Sequence, residues 1–151
     1  MTGSPTFQRI SQETLEEHQQ IHFYYDQLIA FLDELDEQSG EVEPLRQLAA
    51  QIASLRERLT EHFESEERGG LFQAVLEALP ELGPEVHRLG AEHQRMIEIL
   101  EMAQIHAERG EPCEIAGLRT DLSEFLETMR EHELAEDRML KRVLQTESSL
   151  G

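Results

Sequence analysis

Residues 60–67, TEHFESEE, and residues 129–137, MREHELAED, repeat one pattern: Glu-His, three residues, then Glu. An α-helix stacks residues i and i+4 on one face. His62 and Glu66 therefore point the same way, and so do His132 and Glu136. Apolar residues lead into both pairs at helical spacing. They are Leu45, Leu48, Ile52, Leu55 and Leu59 before the first, and Leu118, Leu122, Phe125 and Met129 before the second. Both pairs therefore lie on a face that turns inward. Those stripes hold no other carboxylate. Two buried carboxylates beside two imidazoles are costly unless their charge is compensated, and a metal cation supplies that compensation.

The pattern widens to four helices. Glu-His occurs at 17–18, 61–62, 92–93 and 131–132, once per long helical segment. In each, the histidine continues the apolar stripe and the preceding glutamate sits about 100° away. The first segment runs from about Ser11, a plausible N-cap, to about Gln38, with Leu15, His18, Ile21, His22, Tyr25, Leu28, Leu32 and Leu35 at helical spacing. SGEVEP breaks the chain, and Pro44 opens the second helix. Gly69-Gly70 ends it as a pair that tolerates the left-handed region. LFQAVLEAL predicts a short helix, stopped by Pro80 and Gly83. Pro84 opens the third long helix, with Val86, Leu89, His93, Met96 and Leu100 on one face. After RGEPC the fourth continues through Glu136, Met139 and Val143, and QTESSLG reads as a frayed tail.

The expectation is an all-α fold, an antiparallel up-down four-helix bundle with a short extra helix between helices 2 and 3. Residues 10–146 form this one domain, with 1–9 and 147–151 as flexible termini. Aligning the second helix on the fourth matches Leu55 with Phe125, Leu59 with Met129, His62 with His132 and Glu66 with Glu136, a pseudo-repeat of two hairpins.

Counting along the hairpins tests whether the histidines meet. About a turn centred near residue 41, His18 lies 23 residues before and His62 lies 21 after. About a turn near residue 112, His93 lies 19 before and His132 lies 20 after. At about 1.5 Å per residue the partners differ in height by only about 1–3 Å. Two such hairpins closing face to face give four imidazoles and two carboxylates around one cavity, a set suited to two bridged metal ions. Imidazole with carboxylate suits iron, manganese or zinc. The ferritin-like arrangement needs Glu three residues before His. The residues three before the seven histidines are Leu15, Gln19, Leu59, Pro84, Gly90, Ala103 and Met129, so that motif is absent.

Composition narrows the partners. The chain has 151 residues and a formal net charge of −19, from 32 acidic and 13 basic residues. This is the wrong sign for binding nucleic acid or an anionic membrane surface. Cys113 is the single cysteine, which rules out an intramolecular disulfide and a cysteine-based zinc site. The N-terminus MTGSPTFQRI has no apolar signal region and no run approaches a membrane span. The expectation is a cytoplasmic protein, a monomer or weak homo-oligomer.

With these motifs the sequence resembles the hemerythrin-like (HHE cation-binding) family over roughly residues 10 to 145. LEEHQQIH and LGAEHQRMIEIL look like its first- and third-helix histidine segments. LTEHFESEE and MREHELAED look like its two His-x-x-x-carboxylate segments. The resemblance implies a non-haem centre of two iron ions, bridged by carboxylates and oxo or hydroxo groups, with manganese or zinc as alternatives. It implies reaction with O₂, NO or peroxide. His18, His62, His93 and His132 would be terminal ligands, and Glu66 and Glu136 the bridges. Oxygen-carrying hemerythrins have five histidines, two of them four apart on the third helix. Here the residues four from His93 are Leu89 and Ile97. His22, one turn past His18, joins the candidate ligands as a replacement; otherwise water takes the position. The open position favours oxidase, peroxidase or NO-handling chemistry, or sensing, over one-site O₂ carriage. A metal-free interaction scaffold is the reading from another class.

The remaining polar positions have blander readings. His22 paired with Asp26 is the alternative to ligation. Tyr25 is either a core aromatic or a donor to a metal-bound ligand. His87 and His106 are surface residues. Glu67 and Asp137 point away from the core and are solvated, with substitute ligation as the minor reading. Cys113 is an incidental turn thiol.

Overall fold

A computed structural model describes residues 5–37, 42–109 and 114–150, with side chains over 7–35, 43–109 and 115–146. The helices are α1 (Pro5–Glu37), α2 (Val42–Glu67), α3 (Leu71–Ala78), α4 (Gly83–Arg109) and α5 (Glu114–Leu150), with a 3₁₀ turn at Pro80–Leu82. There is no strand among the described residues. The long helices α1, α2, α4 and α5 form the expected bundle. Neighbours are α1 with α2, α2 with α4, and α4 with α5; the ring is closed only sparsely, where α1 meets α5.

The helix limits differ from the expected ones at both ends. Helix α1 starts at Pro5 rather than Ser11. Proline is favoured in a first turn, and Phe7 in the added stretch is buried against Leu71, Val75 and Val143 of an apolar cluster. Helix α5 continues through the expected tail to Leu150. No glycine or proline interrupts the chain between Leu118 and Leu150, so nothing forces a stop. Cys113 and the rest of the turn after Arg109 lie outside the described residues, as does most of the turn before Val42.

The turn from α2 to α3 needs both its glycines, for different reasons. Gly69 has φ of +89°, in the region that favours glycine. Gly70 has φ of −99°, which any residue adopts. A Cβ there would sit 2.2 Å from the Ser65 carbonyl oxygen, so the need is for space. The expected pair is thus one conformational glycine and one close-approach glycine.

Two apolar clusters fill the bundle. The larger runs from Leu35, Leu45, Ala107 and Leu118 to Phe63, Met96 and Met129. The smaller gathers Phe7, Leu71, Phe72, Val75, Leu89, Met139 and Val143 under α3. Between them, at the level of His18, lies a polar layer. Helix α3 contributes to the smaller cluster, and its Phe72 lies over His93 in the layer.

Candidate metal centre

The buried polar and charged side chains are Thr14, His18, His62, Glu66, His93, His132 and Glu136. Except for Thr14, these are the six positions at which the helical stripes place a donor. Burial is nearly complete: Glu66 is 2% exposed, and His132 and Glu136 are 0% exposed.

The imidazoles turn Nε2 inward. Glu66 Oε1 lies 2.9 Å from His62 Nε2 and 3.6 Å from His93 Nε2. Glu136 Oε1 lies 3.2 Å from His18 Nε2 and 3.5 Å from His132 Nε2. Each carboxylate thus faces one histidine from each hairpin, which is what a bridging ligand requires. Two donor groups result: Glu66, His93, His132 and Glu136; and His18, His62 and Glu136. Within each, the donor atoms lie within 4.8 Å of one another.

The fit to metal ions rests on atoms that nothing else satisfies. Both oxygens of Glu66, both oxygens of Glu136, and Nε2 of His18 and His62 are buried without a hydrogen-bond partner. The short His62–Glu66 approach lacks hydrogen-bond alignment. Orphaned charged oxygens in an apolar interior carry a large desolvation cost. His93 Nε2 and His132 Nε2 are 3.1 Å apart. Two nitrogens each ~2.1 Å from one ion and at right angles would be roughly 3 Å apart.

The outward nitrogens have partners that sequence reasoning did not assign. His62 Nδ1 donates to Glu17 on α1, and His132 Nδ1 donates to Glu92 on α4 at 2.9 Å. These are the glutamates of two Glu-His dipeptides, and each serves the histidine of the neighbouring helix, not its own. A proton held on Nδ1 leaves the Nε2 lone pair facing inward. His93 Nδ1 lies 3.5 Å from Glu67 Oε1, and His18 Nδ1 lies 3.7 Å from Glu133 Oε2, both too long for hydrogen bonds. Asp137 instead pairs with Lys141 at 3.0 Å.

The two halves differ where the pseudo-repeat matches Phe63 with Glu133. Phe63 stacks on His93 with ring centroids 3.8 Å apart, and Phe72 of α3 lies parallel to the same ring at 5.3 Å. On the other side Glu133 takes His22, with Nε2 to Oε1 at 2.7 Å. His22 is therefore not brought into either donor group, and its partner is Glu133 rather than Asp26. Tyr25 does not reach the centre either: its hydroxyl donates to the Leu122 carbonyl at 3.1 Å. His106 is not a free surface residue but pairs with Asp121 at 3.0 Å. His87 is exposed as expected.

Electrostatics divide the imidazoles. Burial opposes charge on His62, but Glu17 and Glu66 outweigh it and raise its pKa to about 9. Burial, followed by the neighbouring His132 and His62, pushes His93 down to about 2. Burial also lowers His18 and His132, despite nearby carboxylates.

Residues 9–144 match the family model described as the hemerythrin HHE cation binding domain. The chain belongs to that family. Searches of curated proteins and of solved structures found no match. The family description names cation binding, and the HHE chain here carries a buried donor set of the corresponding chemistry. No helix among the described residues is long and apolar enough to cross a membrane.

Proposed function

We propose that this HHE chain is a cytoplasmic non-haem di-iron protein that binds or reacts with O₂, NO or peroxide. The observation that supports it is the orphaned donor set: six buried oxygen and nitrogen atoms of His18, His62, Glu66 and Glu136 with no hydrogen-bond partner. Iron bound there would supply redox chemistry and open coordination positions for a small ligand.

The chain's own residues do the rest. Glu66 and Glu136 would span the two positions and neutralise their charge. His93 and His132 would hold one ion with both carboxylates, while His18 and His62 hold the other. Glu17 and Glu92 fix the orientation of His62 and His132. Phe63 and Phe72 keep water from the His93 side. Leu89 is fully buried in the place of a third-helix histidine, and His22 is held by Glu133. That shortage of terminal nitrogen ligands favours reaction, or sensing of a bound gas, over one-site carriage.

The test is anaerobic metal analysis followed by near-ultraviolet spectra on adding O₂ or NO. Two irons per chain and new ligand-to-metal bands are expected. His62→Ala and His132→Ala should each lose iron and the bands. Iron content unchanged in both variants would end the reading. A metal-free scaffold would instead show no change in melting temperature on chelation.

A further inference from the structure

The seam between α1 and α5 is the loosest in the bundle, and it contains a cleft of about 370 Å³. Leu15 on α1 faces Leu140 and Leu144 on α5 across it, and His18 and Glu133 also line it. His18, a proposed metal ligand, thus borders a cleft with apolar walls. Leu15 was expected in the core, but it is 52% exposed and lines this cleft instead.

We propose that the cleft binds a neutral organic molecule with an apolar body and one hydroxyl-type end, of the phenol or naphthol class. The volume is in the range that holds small ligands, roughly 300–1,000 Å³. The leucine walls suit a hydrocarbon body. Two features set the polarity of the guest. Ser11, Gln12 and Thr14 make the polar part of the α1 wall uncharged. Glu133 and Asp137 place two carboxylates along the cleft against one cation, Lys141, which Asp137 already pairs. An anion is repelled there, whereas a hydroxyl can donate to a remaining lone pair of Glu133 beside its bond to His22. The opposite groove over α2, α3 and α4 is larger, about 720 Å³, but is walled by Phe72, whose ring is stacked over His93. The cleft deepens the metal-centre reading and rests on it for what the guest would meet, the His18 side of the centre.

The test is a titration of the full chain, zinc-loaded and metal-free, with 2-naphthol, followed by methyl NMR of the leucines. Saturable shifts at Leu15, Leu140 and Leu144 are expected. Binding should weaken roughly ten-fold or more with 2-naphthoate in place of 2-naphthol, and likewise in Leu15→Glu, whose exposed position tolerates the change. No saturable shift, equal binding of the naphthoate, or shifts confined to Leu76 in the opposite groove would overturn the proposal. Naphthol binding without metal uptake would uphold the cleft and sink the metal reading. Metal uptake without naphthol binding would do the reverse.

Discussion

The outward nitrogen of each imidazole decides how its inward nitrogen behaves. Glu17 accepts from His62 and Glu92 accepts from His132. Glu61 and Glu131, the matching residues of the other two Glu-His dipeptides, are exposed. Four identical dipeptides thus divide into two orienting carboxylates and two solvated ones. Losing a carboxylate that orients a metal-binding histidine typically weakens metal affinity 10–100-fold. Glu17→Ala and Glu92→Ala should therefore each lose roughly that much, measured by competition with a chelator, while Glu61→Ala and Glu131→Ala stay within about two-fold. Similar losses at all four positions would mean that bulk negative charge, not orientation, matters. The sequence placed these glutamates beside the stripe but gave them no role, because their partners lie 45 and 40 residues away.

At the scale of elements, the α2–α3 turn sets where Phe72 stands over His93. Its glycines differ in what they forbid. Gly69→Ala should cost about 1–2 kcal/mol, the penalty of a side chain at positive φ. Gly70→Ala forces a Cβ against the Ser65 backbone and should cost about 1–3 kcal/mol as overpacking. Because the backbone must shift there, Gly70→Ala should also weaken metal binding by loosening the stack on His93. Gly83 is right-handed helical directly before Pro84, where an added Cβ would meet the proline Cδ, so Gly83→Ala should destabilise the chain. Urea unfolding of the metal-free variants measures all three. A stable Gly70→Ala chain with unchanged metal affinity would show that α3 does not hold His93 in place.

For the molecule as a whole, the centre couples stability to pH in two opposed ways. The folded pKa of His93, near 2, lies below its unfolded value of 6.5. Unfolded chains therefore take up a proton that folded ones refuse, and metal-free stability falls as pH drops below 6.5. For His62 the folded value, about 9, lies above 6.5. Its contribution is fully present below 6.5 and is lost as pH rises through 9. Metal binding must displace that His62 proton, so the metal's stabilising effect grows between pH 6.5 and 9. With free metal at about 100 times its Kd, the gain is about 2.7 kcal/mol, or roughly 5–10 °C in a chain of this size. Calorimetry of chelated and loaded protein from pH 6 to 9 should show the gap in melting temperature widening with pH. A constant or narrowing gap would contradict the His62 assignment.

The sequence by itself determined the bundle, the inward faces and the six candidate donors. Helical periodicity is local, so His62 with Glu66 and His132 with Glu136 follow from spacing alone. Near-equal counts about the two turns were enough to bring His18 level with His62, and His93 level with His132. Only the tertiary structure decided what surrounds them. His22 sits one turn from His18, yet Glu133 of α5 takes it out of the centre. Phe63 and Phe72 close over His93, while the loose α1–α5 seam leaves His18 beside a cleft. Those contacts join residues far apart in the chain, and their distances depend on how the two hairpins lean together, which no one-helix pattern encodes.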